Sequence, residues 1–156
     1  MVAEQRQEID ALTGLTSRAG GEGYLGAQLA LGKPTAVILI NLIGFKRVNQ
    51  RWGHVCGDHV LEMVAHELST CAKRFPLVCR WDGEKFLIAS HSVRSIAEQE
   101  VARLRALVSK RYAVSLRGES VEVDISASAG VAVAIDGDSL ADLVARVEAG
   151  LLAGSN

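Results

Sequence analysis

The sequence predicts an α/β sandwich, a sheet with an antiparallel hairpin inside it and helices on its faces. Three observations carry this. Thr35 to Leu42, TAVILINL, is a continuous apolar run rich in β-branched residues, the pattern of a central strand covered on both sides. Val78-Cys79 and Phe86-Leu87-Ile88-Ala89 flank a charged tip, Asp82-Gly83-Glu84-Lys85, which is a hairpin signal. Val60, Leu61, Val64, Ala65 and Leu68 recur at helical spacing and bury one helix face.

The elements follow in order. The 156 residues are expected to form a single domain, long enough to enclose a core. Residues 1–12 are helix-compatible and polar on most sides, and are expected to be a helical lead-in from an upstream region. Glycines 20, 21 and 23 loosen the next segment, so a short helix is expected only from Tyr24 to Leu31. Gly32-Lys33-Pro34 breaks it before the central strand. Phe45 to Trp52 reads as a short helix ending at Gly53. The next is expected to start at Gly57-Asp58, with Asp58 as cap or first-turn acid. Pro76 separates it from the hairpin. Ser92 to Tyr112 reads as a longer helix with Ile96, Val101, Leu104, Leu107 and Val108 as its apolar stripe. Val114 to Leu116 is a short strand, Val121 to Ile135 a longer one, and Asp138 to Leu152 the last helix.

Composition excludes several classes of function. Half the residues are apolar (49%), 22% are charged and the net charge is −1. Nothing in that balance asks for a nucleic-acid partner. The apolar run Ala36 to Ile40 is too short to cross a membrane, and the first ten residues lack the apolar core of a signal peptide. A cytoplasmic segment without direct membrane contact is expected. Cys56, Cys71 and Cys79 are odd in number and lack metal-ligand spacing, so reduced thiols are expected.

Three places could carry chemistry. The loop after the central strand, Asn41 to Lys46, joins a buried strand to a helix start, where backbone N–H groups and Lys46 suit a phosphate; a plain strand-to-helix turn is the competing reading. Asn49 and Asp58 lie on consecutive helices. A carboxylate can accept the N1 and N2 hydrogens of guanine while an amide meets N3 or O6, although Asp58 also reads as a helix cap. At the hairpin tip, Glu84 is a hard oxygen ligand for Mg²⁺. The second carboxylate such chemistry needs is missing: Asn41 stands at the strand end, and Lys85 neighbours Glu84. His54, His59, His66 and His91 show no metal pattern, and Trp52 and Trp81 read as packing residues.

These motifs together resemble the GGDEF domain of diguanylate cyclases, which join two GTP molecules into cyclic di-GMP. Asp10-x-Leu12-Thr13-Gly14-Leu15-x-x-Arg18 is similar to the opening DxLTGLxNR, with Ser17 for the Asn. Phe45-Lys46-x-x-Asn49 and Gly53-His54-x-x-Gly57-Asp58-x-x-Leu61 resemble FKxxND and GHxxGDxxL. Arg80-Trp81 precedes the signature position, and Ser128-Ala129-Gly130-Val131-Ala132 resembles the late SxGVA strand. The resemblance implies a nucleotidyl-cyclase-like fold, with a central mixed sheet, a ferredoxin-like βααββαβ core and flanking helices. It also implies Asn49, Asp58, Phe45 and Lys46 as nucleotide-binding residues.

The signature departs from the family. It falls on Asp82-Gly83-Glu84-Lys85-Phe86, of which Gly83, Glu84 and Phe86 fit. Asp82 replaces a glycine and would crowd and repel phosphates. Lys85 replaces the acid the family uses in catalysis. Asn41 stands for a metal-binding Asp, and Ile43 for the second acid of that stretch. The inhibitory RxxD falls on Lys73-Arg74-Phe75-Pro76, and the C-terminal phosphate-binding Lys falls on Ser155 or, in another register, Leu151. Transition-state charge on a phosphoryl group needs prearranged neutralisation, and losing one element typically costs ~10²–10³ in rate. The expected function is a degenerate, catalytically silent GGDEF domain with a regulatory role, with Mg²⁺ and GTP as its only cofactor and small-molecule partner. Its expected macromolecular partners are proteins or a neighbouring EAL phosphodiesterase or sensory domain. A divergent active cyclase and a nucleotide-free interaction module are the alternatives.

Overall fold

A computed structural model describes residues 8–154, with side chains through Leu151. Residues 1–7 of the expected lead-in helix, and Ser155, lie outside the described residues. Residues 8–12 are not helical: Ile9 bridges Thr16, and Gly14 N–H donates to the Asp10 carbonyl at 2.8 Å, closing a tight turn.

The elements are α1 (Arg18–Ala30), β1 (Ala36–Ile43), α2 (Phe45–Trp52), α3 (His54–Ser69), a short 3₁₀ turn (Ala72–Arg74), β2 (Leu77–Asp82), β3 (Lys85–Ser90), α4 (Arg94–Val108), β4 (Lys110–Leu116), β5 (Glu119–Val133) and α5 (Leu140–Gly154). The sheet order is β2-β3-β1-β5-β4, with the apolar β1 in the centre as its sequence predicts. Every neighbouring pair is antiparallel, which corrects the expected mixed sheet. β1 and β2 run the same way, but β3 lies between them. β5 serves two partners: Glu119 to Ile125 pair with β4, and Ser126 to Val133 pair with β1.

The period-two alternation of β1 sends its side chains into two cores. Ile38, Ile40 and Leu42 meet Val60, Leu61, Val64, Ala65 and Leu68 of α3 and Leu104 and Val108 of α4. Val37 and Leu39 meet Leu25 of α1 and Leu143, Val147 and Leu151 of α5. Helices thus cover both faces, and none among the described residues is long and apolar enough to cross a membrane.

Boundaries differ from the expectation where tertiary contacts override local propensity. Helix α1 starts at Arg18 despite its glycines, with Ser17 as N-cap. A Cβ at Gly21 would come within 2.7 Å of Cys79 Sγ, so the glycine permits α1 to lie close on β2. Helix α3 starts at His54, which places Asp58 inside the helix and removes its expected capping role. Helix α4 stops at Val108 because Tyr112 and Val114 alternate into the core as part of β4, and the Tyr112 hydroxyl donates to the Val108 carbonyl at 2.8 Å. Ile96, expected on the buried stripe, is 49% exposed, and Ala97 is buried in its stead. Asp138 precedes α5 rather than opening it. The helix is capped reciprocally: Asp142 N–H donates to Ser139 Oγ, and Ser139 N–H to the Asp142 carboxylate.

Candidate functional site

The site is built around the β2–β3 hairpin tip. Asp82 and Lys85 face each other, with a register shift between Arg80 and Asp82. Gly83 N–H donates to Asp82 Oδ1 at 2.9 Å, and Leu42 N–H donates to the Glu84 carbonyl at 3.0 Å, tying the tip to the end of β1. Gly83 is not in the left-handed region, and a Cβ there would meet nothing within 4 Å. The fold makes no demand for glycine at this position, so open space above the tip is what the residue provides.

The opening motif braces this tip. Arg80 Nε and Nη2 donate to the Gly83 carbonyl at 3.3 and 3.2 Å, and Nη1 lies 3.4 Å from Asp10 Oδ2. Thr13 N–H and Oγ1–H donate to the same Asp10 oxygen at 3.0 and 2.7 Å. Burial pushes the Asp10 carboxyl up, but the Thr13 hydrogen bonds and the Arg80 guanidinium outweigh it and hold the group below its ordinary value. Arg18 stacks over Trp81, 4.5 Å from the ring centroid. Trp81 is buried in the α1–α5 core, as its packing reading predicts.

Asn41 occupies the middle of the next layer. It faces Lys85 across β3 and Ser128 across β5. Its Oδ1 and the Ser128 Oγ are buried without a hydrogen-bond partner. Lys85 Nζ lies 3.3 Å from Glu148 Oε2 on α5, in a half-buried pair. Asn41, Ile43, Gly44, Phe45, Lys46, Arg47, Gln50 and Glu84 line a cleft of about 500 Å³ beside the tip. Phe45 is buried in the core, while Lys46 is exposed.

Asn49 and Asp58 lie apart from that lining, on the facing helices α2 and α3. Asn49 Oδ1 is buried and unpartnered, wedged against Gly57, where a Cβ would collide with it. Asp58, next to Gly57, is exposed. Elsewhere, Phe75 of the expected inhibitory stretch is buried in the core, and Leu151 is buried against the sheet. The cysteines are unbridged, and burial pushes the Cys79 thiol up to about 12.

The tip offers a Mg²⁺ ion a sparse donor set. Glu84 contributes one carboxylate and Asn41 a neutral amide oxygen, while the Lys85 ammonium stands in the next strand. Among the described residues no cluster of three His, Cys, Asp or Glu side chains is placed to hold a metal. In nucleotide sites Mg²⁺ is held by one or two carboxylates together with substrate phosphates, and Glu84 is the one carboxylate that lines this cleft. Sequence reasoning missed Glu148, because only the fold brings α5 to β3. It also missed that Asp10 braces Arg80, although the two motifs were individually visible.

Residues 7–154 match the family described as "Diguanylate cyclase, GGDEF domain", and the chain belongs to that family. Diguanylate cyclase VdcA of Vibrio cholerae is 32% identical over 145 residues, covering 92% of this chain and 42% of that protein. Cyclic di-GMP phosphodiesterase PdeR of Escherichia coli is 28% identical over 138 residues, 84% of this chain and 20% of that protein. The chain therefore spans less than half the length of these relatives. Among solved structures, diguanylate cyclase SiaD of Pseudomonas aeruginosa, in complex with its activator SiaC, superposes with a TM-score of 0.85 at 28% identity. That match covers 98% of this chain and 61% of SiaD.

Proposed function

We propose that this is a catalytically silent GGDEF domain that serves cyclic di-GMP signalling as a regulatory, nucleotide-binding element. One observation carries the reading. Where the reaction needs anionic ligands for a metal, Asn41 and Lys85 stand opposite each other on adjacent strands, an amide and an ammonium. The ammonium, itself paired with Glu148, supplies no oxygen to a divalent cation, and the amide adds no charge beside it. In-line attack on an α-phosphate is then left without its prearranged neutralisation. The guanine-reading pair, Asn49 and Asp58, remains on the facing helices α2 and α3. Lys46 and Phe45 line the cleft, apart from that pair.

The experiment is incubation of the purified domain with GTP and Mg²⁺, with nucleotide products separated by chromatography. GTP should remain unconverted. Cyclic di-GMP formation at a rate typical of the family would overturn the reading. A divergent active cyclase is the second reading, favoured by Asn41 Oδ1, a buried acceptor with no protein donor. The relatives support a regulatory setting. PdeR is a phosphodiesterase with a stretch similar to this chain, and SiaD is bound by a protein activator. A neighbouring phosphodiesterase or sensory domain, or a separate protein in the cytoplasm, is the partner this reading expects.

A further inference from the structure

We propose that the cleft between the β4–β5 turn and the α2–α3 junction is a separate binding site, which takes the phosphate monoester of a small organic molecule on Arg51 and Arg117. It shares no lining residue with the cleft at the hairpin tip and includes neither Asn49 nor Asp58, so the inference goes beyond the nucleotide reading. The cleft measures about 650 Å³. Its β-turn has two residues, Arg117 and Gly118, at φ 53° and 81°, between the paired Leu116 and Glu119. With both central residues left-handed, the first is normally Asn, Asp or Gly. Arg117 is the one non-glycine residue in that region among the described residues, and its β-carbon strains the turn. What arginine adds over asparagine is a guanidinium on a residue that lines the cleft. The Arg51 guanidinium lies 4.9 Å from the ring centroid of Trp52, also in the lining, which steadies it without neutralising it. Neither arginine is in an ion pair among the described residues, although Glu119 lines the same cleft. Two permanent cations thus share the lining with one carboxylate, a surplus that favours an anion. Two planar guanidinium forks suit the three oxygens and double charge of a phosphate monoester better than a single carboxylate. Val55, 63% exposed, and the half-buried Trp52 offer apolar surface to its organic body.

The test is titration of phenyl phosphate into the isotope-labelled chain, followed by NMR, with inorganic phosphate and benzoate as parallel ligands. Phenyl phosphate should saturably shift the Gly53 and Arg117 amides and the Trp52 indole N–H. Benzoate should bind about tenfold more weakly. Arg51→Met and Arg117→Asn should each weaken phenyl phosphate binding about ten- to a hundredfold, by removing charge-assisted hydrogen bonds. Arg117→Asn separates binding from folding: Asn-Gly is the pair this turn prefers, so the melting temperature should hold or rise while affinity falls. Glu119→Gln should tighten binding about threefold or more, because the competing charge is gone. No saturable shift at millimolar ligand, shifts confined to residues 41–47 of the other cleft, or affinity indifferent to Arg117→Asn would each overturn the proposal. Benzoate binding as tightly as phenyl phosphate would overturn it as a phosphate site, and inorganic phosphate doing so would overturn the organic body. None of these outcomes touches catalytic silence, which only turnover of GTP overturns.

Discussion

Arg80 joins Asp10 to the hairpin tip: its guanidinium lies 3.4 Å from the Asp10 carboxylate and donates twice to the Gly83 carbonyl. Residues 70 positions apart in sequence thus set the angle at which Gly83 and Glu84 are presented. The conformation of the tip depends on the turn that opens the domain, because Thr13 orients Asp10 and Asp10 orients Arg80.

Replacing Asp10 by Ala should therefore loosen the tip more than its surface position suggests. The loss removes two Thr13 hydrogen bonds and the partner of a largely buried guanidinium, at a cost of about 1–2 kcal/mol. Hydrogen exchange should accelerate at Leu42, whose amide is held by the Glu84 carbonyl. Unchanged protection of that amide would show that the tip holds itself.

Asp138 gives the domain an acid-labile joint. Its carboxylate accepts from both terminal nitrogens of Arg146 at 2.7 Å and from the Ile135 amide at 2.8 Å, tying the end of β5 to α5. The Arg146 hydrogen bonds, then the Ile135 amide, lower its pKa from 3.8 to about 2. A carboxyl depressed in the folded state stabilises fully above its unfolded value and loses that contribution as pH falls through the folded value. Melting temperature should therefore drop between pH 3.8 and about 2. In Asp138→Asn that segment of the pH dependence should flatten.

Gly57 should be intolerant of any side chain. Helices α2 and α3 meet so closely that a Cβ would collide with Asn49 Oδ1 and lie 3.2 Å from Phe45 Cζ. Gly57→Ala is expected to cost about 1–3 kcal/mol from overpacking. It should also displace the Asn49 amide, so GTP affinity should fall by more than the loss of folded protein explains. Thermal melts and titration on the same sample separate the two effects.

What could be read from the sequence followed the strength of the local pattern. β1 and α3 were legible because their apolar spacing is strong and tertiary packing agrees with it. Helix α1 was not legible at its start, since four glycines in Arg18–Ala30 speak against a helix until Cys79 explains why Gly21 must be bare. The end of α4 and the start of β4 were misplaced because Tyr112 and Val114 fit either period until the core claims them. At the site, the substitutions Asn41, Asp82 and Lys85 were visible one by one. Their consequence was not, because the Lys85–Glu148 pair is a product of α5 crossing the sheet, and no spacing along the chain reports it.

Reversing the charge at the tip should create a metal site where the present side chains oppose one. In Asn41→Asp combined with Lys85→Glu, two new carboxylates would join Glu84, with Glu148 close by. Without metal these like charges repel and the melting temperature should fall below that of the original chain. With Mg²⁺ they should bind it, and a ligand at a hundredfold excess over its Kd stabilises by about 2.7 kcal/mol. For a domain of this size that is a rise of roughly 5–10 °C. The original chain should show no such shift, because Lys85 occupies the charge balance that Mg²⁺ would need. A Mg²⁺-dependent rise of similar size in the original chain would mean that Glu84 and Asn41 hold the ion despite Lys85. The amide and ammonium would then no longer stand against turnover.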